Sequence, residues 1–596
     1  MKSKIIWLIL SCLMVLSLVL TSCGTKTTPT TTPTTTPKTT PTTTPTKTTP
    51  TTTPTTTTGK WWDKFGVPQY GGTLTFRRTS DPGHFDIWYR DNTTGSIKRL
   101  WTEELIGWDL TTSPELWEFK TSISPNEYKK GLLAESWEMP DAATIIFHIR
   151  KGVTWQNKPP LNGREFVAND VLYHYERLIG IGSFTGKGSP YATNDAVTLG
   201  LQSITAPDKY TVVIKWKYPS LDIIENLSDA GLQLRYFTPK EVVDMGVAED
   251  WKYSAVGTGA WILDDYVSGS SSSFHKNPNY WKYDDRHPQN KLPYADNVKI
   301  LIIPDDATAL AALRTGKMDM MSNVSQDKAK SLAQTNPELK QLSNPAAGPA
   351  LEFRCDVKPF TDIKVRTALQ MAINLDLIAK TYYGGVVEGT PVGLIHPLYK
   401  LDVTPYAEWP QSLKDEYAYN PVGAKKLLAD AGYPTGFKTN IVVPATQDMD
   451  LMQIVKSYFA DVGVDMEIRS MDSTAFNAFL TAGKHDQISA RTPGATAMTY
   501  SGYRALTRRW SQNQSNVTRN NDKTYDAYVD QFTTCLDVAE RHKIIKEAGL
   551  YLLKQHWAVQ LLPTVNFVLF QPWFKGFNGE IVLDYATYWI DKTTKK

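Results

Sequence analysis

Between Thr25 and Thr58 the chain uses only Thr, Pro and Lys. A stretch without sizeable apolar side chains cannot offset the entropy of its own ordering. Its recurring prolines bias it toward extended polyproline II. At roughly 3.1 Å per residue such a segment reaches up to about 100 Å. It reads as a stalk, and its threonines are candidate O-glycosylation sites. Whatever folds must lie beyond it, and whatever anchors the chain must lie before it.

The segment before it has the layout of an export signal. Lys2 and Lys4 supply positive charge, and Ile5 to Leu20 is apolar except at Ser11, Cys12 and Ser17. That run is short for a bilayer span, and small residues follow it directly. Leu20-Thr21-Ser22-Cys23, followed by Gly24, resembles the bacterial lipobox, which implies a lipid on Cys23 after cleavage. An ordinary secretory signal cut at another small residue is the competing reading. Only Cys355 and Cys535 remain beyond the stalk. Two such distant cysteines are no disulfide framework; they are a single pair or two separate thiols.

Composition narrows the function classes. The net charge is only +3 over 596 residues, so neither nucleic acid nor an anionic surface is implied as a partner. The 18 Trp and 29 Tyr indicate large cores, or surfaces that stack on rings and apolar groups.

Beyond Trp61 strands and helices alternate. Gly72–Arg77, Thr144–Ile149, Tyr210–Trp216 and Asn297–Ile303 read as short strands. Thr238-Pro239-Lys240-Glu241 reads as a capping box. Asn420 caps a helix whose apolar face is Ala424, Leu427, Leu428 and Ala431. Val365, Ala368, Leu369, Ala372 and Ile373 give another, and Leu536–Leu553 a third with Glu540, Arg541, Lys543 and Lys546 on its charged face. Mixed elements at this length predict an α/β architecture, and no fixed repeat is present.

Several segments then resemble one family in the family's own order. They are Gly131–Trp137 with Phe147–Val153, Ala168–Arg177, Val256–Trp261 with Asn277–Trp281, Ile303–Gly316, Val365–Asn374 and Tyr419–Pro434. The resemblance is to ABC-transporter extracellular solute-binding proteins of family 5, the peptide/nickel class. It implies a two-lobe periplasmic-binding-protein-like fold, class II and cluster C in type, with a hinge and an inserted subdomain. The implied division is 1–23 lipoprotein signal peptide, 24–58 stalk, 61–105 with 205–305 and 564–596 as lobe I, 106–204 as the inserted subdomain, and 306–563 as lobe II. The chain would then cross between lobes near Pro304-Asp305 and again near Pro563.

The implied function is capture of an extracellular oligopeptide or similar polar solute in the interlobe cleft and delivery to an ABC permease/ATPase complex. The implied protein is a lipid-anchored monomer on the outer cell membrane surface or in the periplasm. No catalysis, cofactor or metal is expected, since the nine histidines are scattered without ligand spacing. Peptide-binding relatives place an Asp in lobe II against the peptide ammonium. The matching stretch here, Ile488–Gly502, has no acid and carries Arg491 instead. That departure favours an anionic or neutral polar ligand, a blocked or acidic peptide or an oligosaccharide. Alternatively, Arg491 pairs internally. The other candidate ligand contacts are Arg354, where a structural salt bridge is the competing reading, and Trp88, Tyr89, Tyr500, Tyr503 and Trp510, where core packing is. Gly257-Thr258-Gly259 is expected to serve backbone geometry near the hinge. Two rivals stay open. A glycoside hydrolase needs two opposed carboxylates, and no acidic cluster stands out. A sensor subunit would share the fold and differ only in its partners.

Overall fold

In the computed structural model the described residues run from 59 to 595, without 90–94, 122–123, 190–199, 226, 229–234, 347, 394, 398, 492–501 and 514–515. Cys23 and the stalk lie outside them. From Lys60 on the chain forms one compact unit built on three main sheets.

The first is a seven-stranded mixed sheet in the order Lys340–Ala346, Thr564–Phe570, Met320–Val324, Thr73–Arg78, Asn297–Ile302, Ser271–Lys276, Trp261–Val267. Thr73–Arg78 buries Leu74 and Phe76 and runs parallel to Asn297–Ile302, which buries Val298 and Ile300 on the same alternation. Trp101, Trp261 and Tyr588 fill the core beneath.

The second is a four-stranded antiparallel sheet, Ala134–Asp141, Thr144–Ile149, Thr211–Trp216, Leu201–Asp208. Ile145, Phe147, Val212 and Ile214 are fully buried against the helix Ala168–Ile179. This helix stops at Gly180, whose φ of 77° is the left-handed C-cap that only glycine adopts without cost. The sheet belongs to the inserted subdomain. It uses strands up to Trp216, and Ile223, Phe237 and Val242 join its core, so the subdomain continues past the expected limit at residue 204.

The third sheet defines lobe II: Val464–Met471, Phe437–Pro444, Ile488–Arg491, Ala350–Phe353, Ala558–Gln560. Phe437–Pro444 and Val464–Met471 are parallel and joined by the helix Met449–Asp461, as a parallel connection requires. Lobe II therefore begins after Ala346, not at residue 306. Met320–Val324 and Lys340–Ala346 both pair into the lobe I sheet through Thr564–Phe570.

Most of the expected elements form within one or two residues of their predicted ends. The helix Pro421–Asp430 is capped by the Asn420 side chain, which accepts from the Gly423 N–H at 2.8 Å. The predicted capping box at Thr238 does not form. Its hydroxyl donates to buried Asp86 at 3.2 Å, and Glu241 is taken by Arg164. Gly257 and Gly259 are needed for close packing, since an added Cβ would fall 1.9 Å from the Trp101 carbonyl oxygen and 2.6 Å from its carbon. That contact joins lobe I to itself.

Candidate functional site

The two lobes are linked by two short segments, one around Gly348-Pro349 and one around Leu561–Pro563. They lie side by side. Leu561 N–H donates to the Pro349 carbonyl at 2.9 Å, and the Gln560 amide donates to Gly348 O at 3.1 Å. A Cβ on Gly348 would meet the Leu562 carbonyl at 2.0 Å, so only glycine permits this approach. Two adjacent connecting segments let one lobe turn against the other with little change elsewhere, which is the geometry of a hinge.

Beside these crossings is a cavity of about 420 Å³, within the range of ligand sites. Pro345, Pro563 and Val565 form its hinge wall, and the segment Val386–Trp409, the helix Val538–Gln555 and Ala505, Leu506 and Tyr525 form the rest.

On lobe II, Glu352 is fully buried and faces three guanidiniums. Arg491 Nε lies 2.8 Å from it, Arg508 Nε lies 3.8 Å away, and Arg509 Nη2 donates to it. Leu351 and Phe353 point to the opposite face of the strand, into the lobe II core. Burial alone would raise the Glu352 carboxyl, but Arg491, Arg509 and Arg508 overcome it and hold the group well below the usual carboxylate range. Three guanidiniums around one carboxylate leave a surplus of positive charge. Arg508 Nε and Arg509 Nε and Nη1 have no hydrogen-bond partner among the described residues.

A second ion pair joins lobe II to the inserted subdomain. Arg541 Nη2, on the Val538–Gln555 helix of lobe II, donates to both oxygens of Asp222 in the inserted subdomain, at 2.8 and 2.7 Å. Both residues are buried, and the guanidinium lies 4.0 Å over the Phe532 ring. Helical periodicity places Arg541 on the charged face of its helix, with Glu540, Lys543 and Lys546. Its burial is set by a partner 319 residues away in the chain, which helix periodicity cannot reveal.

Of the expected ligand contacts, Arg491 and Arg354 lie at opposite ends of the lobe II sheet. Ala350 pairs with Arg491 in the lobe II sheet, which puts Arg491 at the hinge end of its strand. Arg354 follows Phe353 at the other end, roughly 13 Å away at about 3.3 Å per residue. Its guanidinium is committed to Asp356 at 2.7 Å twice, and to the Gly483 and His485 carbonyls at 2.9 and 2.7 Å. Arg354 is thus a structural residue of lobe II. Arg491 does pair internally, although its side chain stays 22% exposed.

Trp88 is covered by Arg177 at 4.8 Å, beside the buried Asp86–Arg177 pair, and Tyr89 stacks on His84 at 3.9 Å. Trp510 packs against the Tyr525 and Phe532 core of lobe II. Tyr500 and the side chain of Tyr503 lie outside the described residues. Cys355 and Cys535 are separate thiols, and burial pushes Cys355 up to about 11.

A hinged pair of lobes with a ligand-sized cavity at the hinge defines a two-lobe solute-binding protein. The chain belongs to the bacterial extracellular solute-binding proteins, family 5, whose model matches residues 130–516. It is 27% identical over 484 residues to heme-binding protein A of Haemophilus influenzae, covering 76% of this chain and 83% of that protein. It is 26% identical over 467 residues to a dipeptide-binding protein of Pseudomonas aeruginosa, covering 75% and 83%. The fold is shared with the periplasmic binding protein DppA of Helicobacter pylori in complex with a peptide. There the TM-score is 0.68 and the identity 22%, over 88% of this chain and 99% of that one. The oligopeptide-binding protein AppA of Bacillus subtilis, in complex with a nonapeptide, has a TM-score of 0.65 at 19% identity, over 88% and 100%.

Proposed function

We propose that this protein is the substrate-binding component of an ABC importer, capturing an extracellular oligopeptide between its lobes and delivering it intact to the permease. The observation that carries this reading is the cavity of about 420 Å³ beside the hinge crossings, lined there by Pro345, Pro563 and Val565. A ligand held there makes its best contacts in one hinge setting only, and so shifts the population toward that setting. The peptide-binding relatives support an oligopeptide as the cargo. The surplus positive charge around Glu352 supports a ligand that carries a carboxylate.

The chain from Lys60 on, a compact unit, should be stabilised by its ligand. A peptide at a hundred times its Kd adds about 2.7 kcal/mol. A thermal-shift screen of di- to hexapeptides should find such ligands among those with free carboxylates. Mass spectrometry should recover each peptide unbroken. A panel without any shift, or one returned hydrolysed, would defeat the proposal.

Tethering is part of the same reading. Cys23 carries the lipid and the Thr/Pro stretch holds the binding unit off the membrane. Replacing Cys23 by Ser should move the protein from the membrane fraction to the soluble fraction of fractionated cells. Retention in the membrane fraction would remove the lipid from this account.

A further inference from the structure

We infer that the cavity beside the crossings is a selectivity pocket, taking a large apolar residue at the carboxyl end of a peptide with its carboxylate on Lys546. The inference rests on the peptide reading above. Val392, Ile395, Trp409, Leu550 and Leu553 make the cavity apolar. Lys546, Gly549, Leu550 and Leu553 share one face of the Val538–Gln555 helix at the i, i+3, i+4, i+7 spacing.

Gly549 is the informative residue on this face. Glycine inside a helix is destabilising relative to alanine. Here no close neighbour demands it, because an added Cβ would meet nothing within 4 Å. A glycine that costs helix stability and is not needed for packing keeps the cavity floor open. Lys546 is half-buried at the same wall and makes no ion pair among the described residues. The neighbouring Asp402 is taken by His542 at 2.6 Å. Burial pulls the His396 imidazole down to about 4, so it is neutral there. Glu388 also belongs to the lining and is exposed to solvent. The wall therefore offers one available ammonium above apolar surface. Its chemical complement is a carboxylate attached to an apolar group, as at the end of a peptide in Phe or Leu.

Calorimetry on the unit from Lys60 on would use Ala-Ala-Phe, its C-terminal amide and Ala-Ala-Ala. The parent should bind Ala-Ala-Phe at least about tenfold more tightly than Ala-Ala-Ala, as burial of an aromatic side chain implies. Gly549→Leu fills the floor and should erase that difference, while its melting temperature stays at or above the parent's. Lys546→Met should erase the preference for the free acid over the amide. Equal binding of Phe- and Ala-ended peptides by the parent would overturn the pocket. So would a folded Gly549→Leu variant that still prefers Phe. If none of the three peptides binds the parent, the peptide reading falls and the pocket with it.

Discussion

Replacing Asp222 by Asn should leave both lobes folded and open the cleft. The Asp222–Arg541 pair supplies the hydrogen bonds between charged side chains that join the inserted subdomain to lobe II among the described residues. When the lobes part, water solvates both groups. When they close on the variant, the Arg541 guanidinium is buried without its countercharge. Breaking a buried pair from one side costs roughly 3–5 kcal/mol. The cost falls on the closed state alone, because only there are the charges desolvated. The closed population should drop at least about 100-fold, and apparent ligand affinity should fall in proportion where closure is required for tight binding. Arg541→Met should behave similarly while keeping an apolar stem over Phe532. The exchanged pair, Asp222→Arg with Arg541→Asp, should recover much of the loss. Distances between labels on the two lobes, measured with and without ligand, would report the equilibrium. If both single variants keep the parent's distances and affinity, the pair does not govern closure.

Glu352→Gln should be the most destabilising substitution in lobe II, by about 3–5 kcal/mol. The carboxylate is the shared partner of Arg491, Arg508 and Arg509. Without it three guanidiniums face one another in a desolvated site. Arg491→Ala should cost much less, since that side chain is partly exposed and Arg508 and Arg509 remain against Glu352. Denaturant titration of the three proteins gives the ordering directly, and a Gln variant as stable as the parent would refute it. The same site predicts a pH dependence. The folded Glu352 value lies below the unfolded value of 4.5. Its contribution is therefore complete at neutral pH, begins to be lost as pH falls through about 4.5, and goes on falling toward the lower folded value. Acid unfolding of the parent should carry this loss, and the Gln variant should lack it.

Some of this was legible from the chain itself. The alternation in Thr144–Ile149 and the cap at Asn420 are local, and both elements form where periodicity and capping place them. Thr238 misled because a local rule met a distant competitor, Asp86. The lobe boundaries were displaced for a related reason. Which sheet Met320–Val324 joins is decided by pairing with Thr564–Phe570, some 240 residues on, and local sequence carries no register for such a pairing. Arg354 and Arg491 have identical chemistry in sequence. One is spent on Asp356 and two carbonyls and the other stands at the hinge end of its strand, a distinction made by strand position. Gly549 was visible as a glycine inside a helical pattern, but the space above it was not.

By itself the sequence determined the architecture's parts. Composition alone marked off the Thr/Pro stretch from the chain that follows it, and short-range periodicity, caps and ordered motifs gave the α/β class and the family resemblance. These follow from interactions between residues a few positions apart, which composition and spacing encode directly. Tertiary structure decided which charges meet, which side chains line the hinge cavity, and where one lobe ends and the other begins. Each of those depends on contacts between segments hundreds of residues apart, whose geometry exists only once the chain has packed.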